Sequence, residues 1–428
     1  MNSEDVFVSL DIGTSSIKTV IGEMAGERLN VIGVGEASSY GIKKGAIVDI
    51  DATVRSIGNA VEQAERMVGI GIKSVIVGIS GNHIQLRSCH GVVAVSGESH
   101  EIGNEDIARV IDAAQVMSIP PEREIIDVIP EQFIVDGVDE IHDPRGMIGV
   151  RLEMEGTLIT GSKTLLHNLL RCVERAGLTI SDVCLQPLAL GSVALSNDEK
   201  NLGVALIDIG GGSTSVAVFD QGTLVSTFEL PIGGNHITKD ISIIQKIPMD
   251  EAENAKIKHG VAYLGAASDE DTFTVSQIGS DKKQSLNQED LAEIIQARME
   301  ELFEIIREEL RRIGIYDLPG GYVFTGGVTA MPGVADLAAH HLNSSVRIAS
   351  PDYIGVREPK YTACIGLIQF AYHNVKIQGK EIAAAIAPEH ERYEAVQKQH
   401  KQKKSKQTPK EHEGVTTKVK NWFNLFFD

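Results

Sequence analysis

The sequence predicts a duplicated, two-lobe α/β fold with a small inserted α+β subdomain and a C-terminal amphipathic helix. Three observations predict it. The segment Val6-Phe-Val-Ser-Leu-Asp-Ile-Gly-Thr-Ser-Ser-Ile-Lys-Thr-Val-Ile21 returns in plan as Val204-Ala-Leu-Ile-Asp-Ile-Gly-Gly-Gly-Ser-Thr-Ser-Val-Ala-Val218. Each is an apolar β-rich run, an Asp-Ile-Gly turn, small hydroxylated residues and a second β-rich run. Each copy is followed downstream by a helix and a strand that ends in glycine. At 428 residues the chain exceeds what one core usually serves, about 250–300 residues, and repeated units of this size predict two related lobes.

Each copy reads as a hairpin of buried strands with a tight glycine-containing tip. After the first, Asp51 is the predicted N-cap of a helix running to about Met67, with Val54, Ile57, Ala60, Val61 and Ala64 on one face. A strand over 74–79 follows and ends at Ser80-Gly81. Residues 83–162 carry short predicted strands at 91–95, 125–129, 132–135 and 158–160 and one helix over 104–117, enough for a small α+β module. In the second half, 234–284 is charged and helical around 250–259. A helix over 288–313 then precedes a strand over 321–325 that ends at Gly326-Gly327. The expected division is therefore 1–82 with 163–195 and 331–380 as the core of lobe one, and 83–162 as its insertion. Lobe two has its core at 196–233 with 285–330 and its own insertion at 234–284. A polar linker, 381–414, leads to the helix 415–428.

Composition narrows the function. The net charge of −19 argues against a nucleic-acid partner and against the whole protein lying on a membrane surface. With 42% hydrophobic and 23% charged residues, the chain is neither disordered nor low-complexity. Cys89, Cys172, Cys184 and Cys364 form no C-x-x-C and read as buried thiols of a reducing cytosol. The acidic start lacks the pattern of a signal peptide, and no apolar run reaches the roughly 18 residues of a membrane span. The histidines have no thiol or carboxylate recurring at ligand spacing, so they read as solvated or core residues.

The chemistry sits at the two hairpins. Glycine and small hydroxyl residues let backbone N–H groups approach and point at a phosphate. Asp11 and Asp208 would face each other across a cleft and hold Mg²⁺ through its water shell, which suits an ion that dehydrates reluctantly. Lys18, on the second strand of the first hairpin, would offset phosphate charge. The plainer reading, two ordinary hairpins whose Asp and Gly serve the turn, does not account for the repeat.

This arrangement resembles the actin, heat-shock chaperone and sugar-kinase superfamily over about residues 6–370. Asp11-Ile-Gly-Thr-Ser-Ser-Ile-Lys18, with Gly13, Thr14 and Ser15, matches its first phosphate motif. Asp208-Ile-Gly-Gly-Gly-Ser-Thr214, with Gly210, Gly211, Gly212 and Ser213, matches the second. Phe324-Thr-Gly-Gly-Val328, with Gly326 and Gly327, matches the adenosine motif, and Glu253 and Lys256 resemble the helix pair that contacts ribose and base. Gln186 stands where relatives carry the residue that orients the attacking water. A glutamine orients water but is a poor base, so the expected catalytic pair, Gln186 and Asp208, implies at most slow ATP hydrolysis, with binding serving assembly. The plainer reading of Gln186 is a polar helix-start residue before Pro187.

Within the superfamily the match narrows. Val150-Arg-Leu-Glu-Met-Glu-Gly156, Asn168-Leu-Leu-Arg-Cys-Val-Glu-Arg-Ala-Gly177 and Leu318-Pro-Gly-Gly-Tyr-Val-Phe-Thr-Gly-Gly327 are similar to the bacterial FtsA family of cell-division proteins. The resemblance implies an actin-like ATP-binding protein that forms filaments of itself and takes Mg²⁺. It also implies a protein that tethers the C-terminal peptide of the division protein FtsZ to the inner face of the cytoplasmic membrane at the septum and meets downstream division proteins of the divisome. Arg298 and Arg307 are the expected contacts for that acidic peptide, although surrounding glutamates explain both as solvated ion pairs. Two readings compete: an actin-like scaffold of a pilus system, and a small-molecule kinase of the same superfamily. The kinase would need a substrate-side base that no further motif supplies, and a chaperone would need a peptide-binding domain beyond residue 370.

The tail speaks for a membrane. Gln397 to Gly414 holds no apolar residue, so it cannot build a core. At about 100° per residue, Val415, Val419, Trp422, Phe423 and Phe426 share one helical face, with Leu425 and Phe427 at its edges. Lys418 and Lys420 flank that face, where their stems can snorkel and their ammonium groups meet anionic lipid. Residues 398–420 hold eight lysines against two glutamates, opposite in sign to the whole chain. An acidic body tethered by a basic linker and an aromatic anchor is expected.

Overall fold

The computed structural model describes residues 6–43, 45–279, 283–378 and 385–386. The predicted tail helix, with Lys418, Val419, Trp422, Phe423, Phe426 and Phe427, lies outside the described residues, as does the predicted linker except for Ala385 and Ile386. These two are not solvated linker: both are buried in the lobe-one core, and Ile386 bridges to Ile72. The chain opens with three antiparallel strands, β1 (Val6–Ile12), β2 (Ser16–Ala25) and β3 (Arg28–Ser38). A short hairpin, β4 (Ile42–Lys43) and β5 (Ala46–Ile47), leads to helix α1 (Ile50–Val68) and strand β6 (Ser74–Ile79). The inserted module follows: β7 (Gln85–Ala94), α2 (Asn104–Ala114), β8 (Arg123–Val135), β9 (Val138–Ile141) and β10 (Arg151–Ser162). Helix α3 (Lys163–Arg175) and strand β11 (Thr179–Leu185) complete lobe one, and α4 (Gln186–Ala194) carries the chain across.

Lobe two starts with α5 (Asn197–Leu202) and the strands β12 (Val204–Ile209), β13 (Thr214–Asp220) and β14 (Thr223–Leu230). Helices α6 (Gly234–Gln245) and α7 (Met249–His259) and the hairpin β15 (Thr272–Ser276) and β16 (Lys283–Asn287) come next. The lobe closes with α8 (Gln288–Arg312), β17 (Tyr322–Thr325), α9 (Val334–Leu342) and β18 (Val346–Ile348), and α10 (Thr362–Gln378) returns to lobe one.

The repeat in the sequence is a repeat in topology. Lobe one has strand order β11-β6-β1-β2-β3 and lobe two β14-β13-β12-β17-β18. In each, two antiparallel strands extend one way from the first, and two parallel strands extend the other way. Strand β1 shows why both faces must be covered. Val6, Val8 and Leu10 pack in one cluster with Ile57, Ala60 and Ala64 of α1, while Phe7 packs in another with Ile365, Ile368 and Ala371 of α10. A strand buried on both sides reads as a continuous apolar run rather than an alternation.

Several boundaries differ from expectation. Residues 331–348, expected in lobe one, belong to lobe two: β18 extends its sheet by pairing in parallel with β17, and Val334, Leu337, Ala338 and Leu342 of α9 sit in its core. Strands β7 and β10 begin earlier than expected, at Gln85 and Arg151, and α2 ends at Ala114. Asp49, not Asp51, caps α1, its carboxylate accepting from the Ala52 N–H at 3.0 Å, and Asp51 lies in the first turn and pairs with Arg175 at 2.7 Å. The chain enters through a turn in which Val48 and Asp49 N–H groups both donate to the Gly41 carbonyl, a constraint invisible in the local pattern. In the insertion, the two short strands predicted around Pro130 are one, β8. Its pairing with β10 shifts register between Glu155 and Gly156, and this bulge accommodates Pro130 and Glu131. The four cysteines are buried and free.

Candidate functional site

The β1–β2 and β12–β13 hairpins close alike. Gly13 N–H donates to the Ser16 carbonyl at 3.2 Å, and Gly210 N–H to the Ser213 carbonyl at 3.0 Å. The two tips meet. A Cβ on Gly211 would lie 1.9 Å from Ser15 Oγ, and one on Gly212 2.5 Å from Thr14 Cγ2, so only glycine lets the second tip come so close to the first. The start of α6 supports that second tip, with Gly234 and Asn235 N–H groups donating to the Gly210 and Gly211 carbonyls at 2.9 and 2.7 Å.

Between the lobes lies a cavity of ≈ 490 Å³, within the size range of small-molecule sites. The first hairpin contributes Asp11, Gly13, Thr14, Ser15 and Lys18 to its wall, and the second contributes Asp208, Gly210, Gly211, Gly212 and Ser213. Gln186, Glu253, Lys256, Gly326 and Gly327 line it as well. Thr214 stands apart from them: it is fully buried, and its hydroxyl donates to the Ile232 carbonyl at 2.8 Å, so it braces the hairpin instead of facing the cavity. Gln186 is the first residue of α4, followed by Pro187.

Register explains the charges. Across lobe one, Asp11 on β1 faces Lys18 on β2, which faces Glu36 on β3. Across lobe two, the same count gives Asp208, Ser215 and Glu229. The duplicated sites thus differ by one cation. Lys18 Nζ donates to Asp11 Oδ2 at 3.1 Å with both side chains nearly buried. Burial pulls the Lys18 ammonium down, but Asp11 more than restores it, and the group ends above its ordinary value. Asp208 has a serine where Asp11 has the lysine. Burial first, then the charge of Asp11, pushes its carboxyl up to about 7, with Lys18 opposing and Glu229 adding to the rise. Burial also raises Glu229, against a hydrogen bond from Ser213.

That rise fixes a sign. An acid whose folded pKa exceeds its unfolded value favours folding while protonated, and the benefit is lost as pH rises from about 4 through about 7. Asp208→Asn, neutral at every pH, is expected to stabilise the ligand-free protein by on the order of a few kcal/mol above pH 7, with the gain shrinking toward pH 4. Thermal unfolding of both proteins across that range measures it; a gain independent of pH would mean that the carboxylate is not destabilised by its setting.

At the end of β17, beside the second hairpin, Gly326 has φ of 94°, and a Cβ there would lie 2.2 Å from Asp208 Oδ1. Glycine is required by both the backbone and the approach. Lys256 Nζ donates to Glu253 Oε2 at 2.7 Å, to Thr238 Oγ1 at 2.8 Å and to the Gly234 carbonyl at 3.1 Å, tying α7 to the start of α6. Arg298 and Arg307 are not in the cavity wall. Arg298 holds Asp240 of α6 at 2.5 Å as well as Glu301, and Arg307 pairs with Glu304. Both arginines are therefore engaged by carboxylates of their own lobe.

Sequence reasoning missed four residues here. Glu36 is held by Lys360 at 3.0 Å and accepts from the Tyr361 hydroxyl at 3.0 Å. Asn82 clamps Glu229 across the lobes, its Nδ2 donating to the Glu229 carbonyl at 2.6 Å and its Oδ1 accepting from the Glu229 N–H at 2.7 Å. Glu36 and Glu229 were findable by counting register outward from each hairpin tip. Lys360 and Asn82 carry no such signal, since only the fold brings them near.

The family profile described as "Cell division protein FtsA" matches residues 205–366, and that described as "SHS2 domain inserted in FTSA" matches residues 81–160. The "Cell division protein FtsA" of Bacillus subtilis (strain 168) is 59% identical over 389 residues, 91% of this chain and 88% of that protein. The chain belongs to the FtsA family. It is thus an actin-like cell-division protein, and its inserted module carries the match to the SHS2 domain, over residues 81–160. Solved structures agree on the fold. The "PilM-PilN type IV pilus biogenesis complex" superposes with TM-score 0.58 at 16% identity, covering 86% of this chain and 98% of that one. "MreB5 of Spiroplasma citri bound to ADP" gives 0.54 at 14%, covering 88% and 100%. The FtsA relationship, close in sequence over nearly the whole chain, sets aside the pilus-scaffold and kinase readings.

Proposed function

We propose that this chain binds ATP between its lobes, forms filaments, and tethers FtsZ to the inner face of the cytoplasmic membrane at the division site, where it helps assemble the divisome. The observation that carries the nucleotide part is the meeting of two glycine-tipped hairpins, each bearing an aspartate, in one cavity of nucleotide size. The solved MreB5 relative, of like fold, holds ADP. In this reading Gly13, Thr14, Ser15, Gly210, Gly211, Gly212 and Ser213 present backbone and hydroxyl donors to the phosphates. Gly326 and Gly327 let the adenosine pass close to the backbone, and Glu253 and Lys256 border the ribose and base.

The residues present fit Mg²⁺. Asp208 is buried without a cation of its own beside Asp11, and two carboxylates facing a phosphate site suit a hydrated Mg²⁺. Mg²⁺ bound there would neutralise phosphate charge. Lys18, already held by Asp11, adds a fixed positive charge beside the phosphates. Gln186 orients water without taking its proton strongly, so hydrolysis is slow and nucleotide occupancy serves assembly. Self-association follows from membrane physics: one short anchor holds weakly, and linking many in a filament raises avidity by orders of magnitude. The anchor is the 415–428 segment with Lys418, Val419, Trp422, Phe423, Phe426 and Phe427. Acidic FtsZ peptide and downstream division proteins are its further partners, with Arg298 and Arg307 as contacts only if the peptide displaces Asp240 and Glu304.

Electron microscopy of the purified protein on anionic lipid monolayers tests the whole reading. Filaments are expected with ATP and Mg²⁺, and they disappear when ATP is omitted or residues 415–428 are deleted. Filaments that form equally well without nucleotide would overturn the assembly role of the cavity.

A further inference from the structure

A second cavity, of ≈ 260 Å³, lies where the inserted module, α4, α10 and the β13–β14 turn meet. Its wall is chiefly apolar, built from Leu86 and Ile129 of the insertion, Leu188 of α4, Phe219 of β13, Leu224 of β14 and Phe370 of α10. Leu188 and Leu224 each pack at the margin of two separate core clusters, so the cavity is the gap left where two packed cores abut.

One ammonium stands in this wall. Lys200, on α5, places its Nζ 6.0 Å from the centroid of the Phe219 ring. Burial pulls the group below its ordinary value, and among the described residues it has no ion-pair partner. The contrast with the other enclosed lysines is plain. Lys18, Lys256 and Lys360 hold carboxylates at 3.1, 2.7 and 3.0 Å. The acid of the cavity wall, Glu131, is exposed and accepts instead from the Thr157 hydroxyl at 2.6 Å. An ammonium drawn partly out of water without a counter-charge is costly, and so is an open apolar wall. An anion with an apolar body relieves both at once.

We propose that this cavity binds a small organic carboxylate, its apolar body among Leu188, Leu224 and Phe370 and its carboxylate on Lys200 Nζ. Because the wall is shared by the insertion and both lobes, the occupant would bridge the three and could act on the molecule without touching the hairpin cavity. The site would be independent of the nucleotide reading.

Calorimetric titration of the full chain with hexanoate, at fixed ionic strength, tests it. Saturable binding at one site per chain is expected, weaker by at least tenfold for the neutral hexanamide and for Lys200→Met, and unchanged by saturating ATP. Leu224→Trp, which fills the space and leaves the lysine in place, is expected to abolish it. No saturable hexanoate binding, or equal binding by Lys200→Met, overturns the proposal. Should Lys200→Met fail to fold, hexanoate binding that persists in Leu224→Trp overturns it as well.

Discussion

Lys18→Ala is expected to destabilise the protein by roughly 3–5 kcal/mol, the range seen when one partner of a buried ion pair is removed and the other is left stranded. The stranded group here is worse placed than usual. Asp11 would lose its 3.1 Å partner while Asp208, already raised to about 7 in part by the Asp11 charge, lies nearby. Lys18 is the cation that opposes that rise, so its loss pushes Asp208 further toward the protonated form. The stabilisation supplied by a raised lysine is present at all pH values below its unfolded value of 10.5 and is lost only above it, so the deficit persists through neutral pH. Urea unfolding of Lys18→Ala and of the double variant Asp11→Asn with Lys18→Met separates charge from packing. The double variant strands no charge at this pair and is expected to be the more stable of the two. Equal stabilities would show that the pair contributes only packing. ATP affinity should fall by tenfold or more in Lys18→Ala, because two carboxylates would then face the phosphates with no fixed cation between them.

The second large effect lies in the tail. Replacing Trp422 and Phe423 together by polar residues is expected to release the protein from anionic vesicles. Burying one large apolar side chain is worth about 1.5–3 kcal/mol, so losing two weakens partitioning by at least a hundredfold. Lys418 and Lys420 cannot compensate, since their attraction to lipid is screened by salt within a Debye length of about 8 Å. Sedimentation with vesicles of mixed anionic and zwitterionic lipid measures the bound fraction; a fraction unchanged by the double substitution would refute the anchor. The same substitution should leave ATP binding in solution as it was, because neither residue belongs to the motifs assigned to the nucleotide.

How much was legible in the sequence varied with how local the cause was. The duplicated hairpins were readable because each is a short apolar run, a glycine tip and a second run. The strand over 74–79 was readable to the residue, because its six residues are all buried and bounded by turn signals. The start of α1 was not. Asp49 and Asp51 are equally good caps, and the Gly41 turn chose between them. The long strand β8 was cut in two because Pro130 breaks the pattern, whereas a bulge against β10 lets the pairing continue. Within the site, every residue assigned to the nucleotide or to catalysis except Thr214 lines the cavity. Thr214 shares the motif but points the other way, since alternate side chains of a strand face opposite sides.

The sequence by itself determined the duplicated architecture, the inserted module, the pair of aspartates and the opposite charge of body and tail, because these depend on local pattern and on composition. It left the electrostatic asymmetry of the two lobes undecided. Asp11 and Asp208 sit in nearly identical motifs; counting from each tip sets a lysine opposite one and a serine opposite the other, but only the fold closes the first pair to 3.1 Å and buries the second aspartate beside Asp11. Desolvation and the distance between charges are properties of residues far apart in the chain, so the tertiary structure alone decided that Asp208 is the carboxylate still in want of a cation.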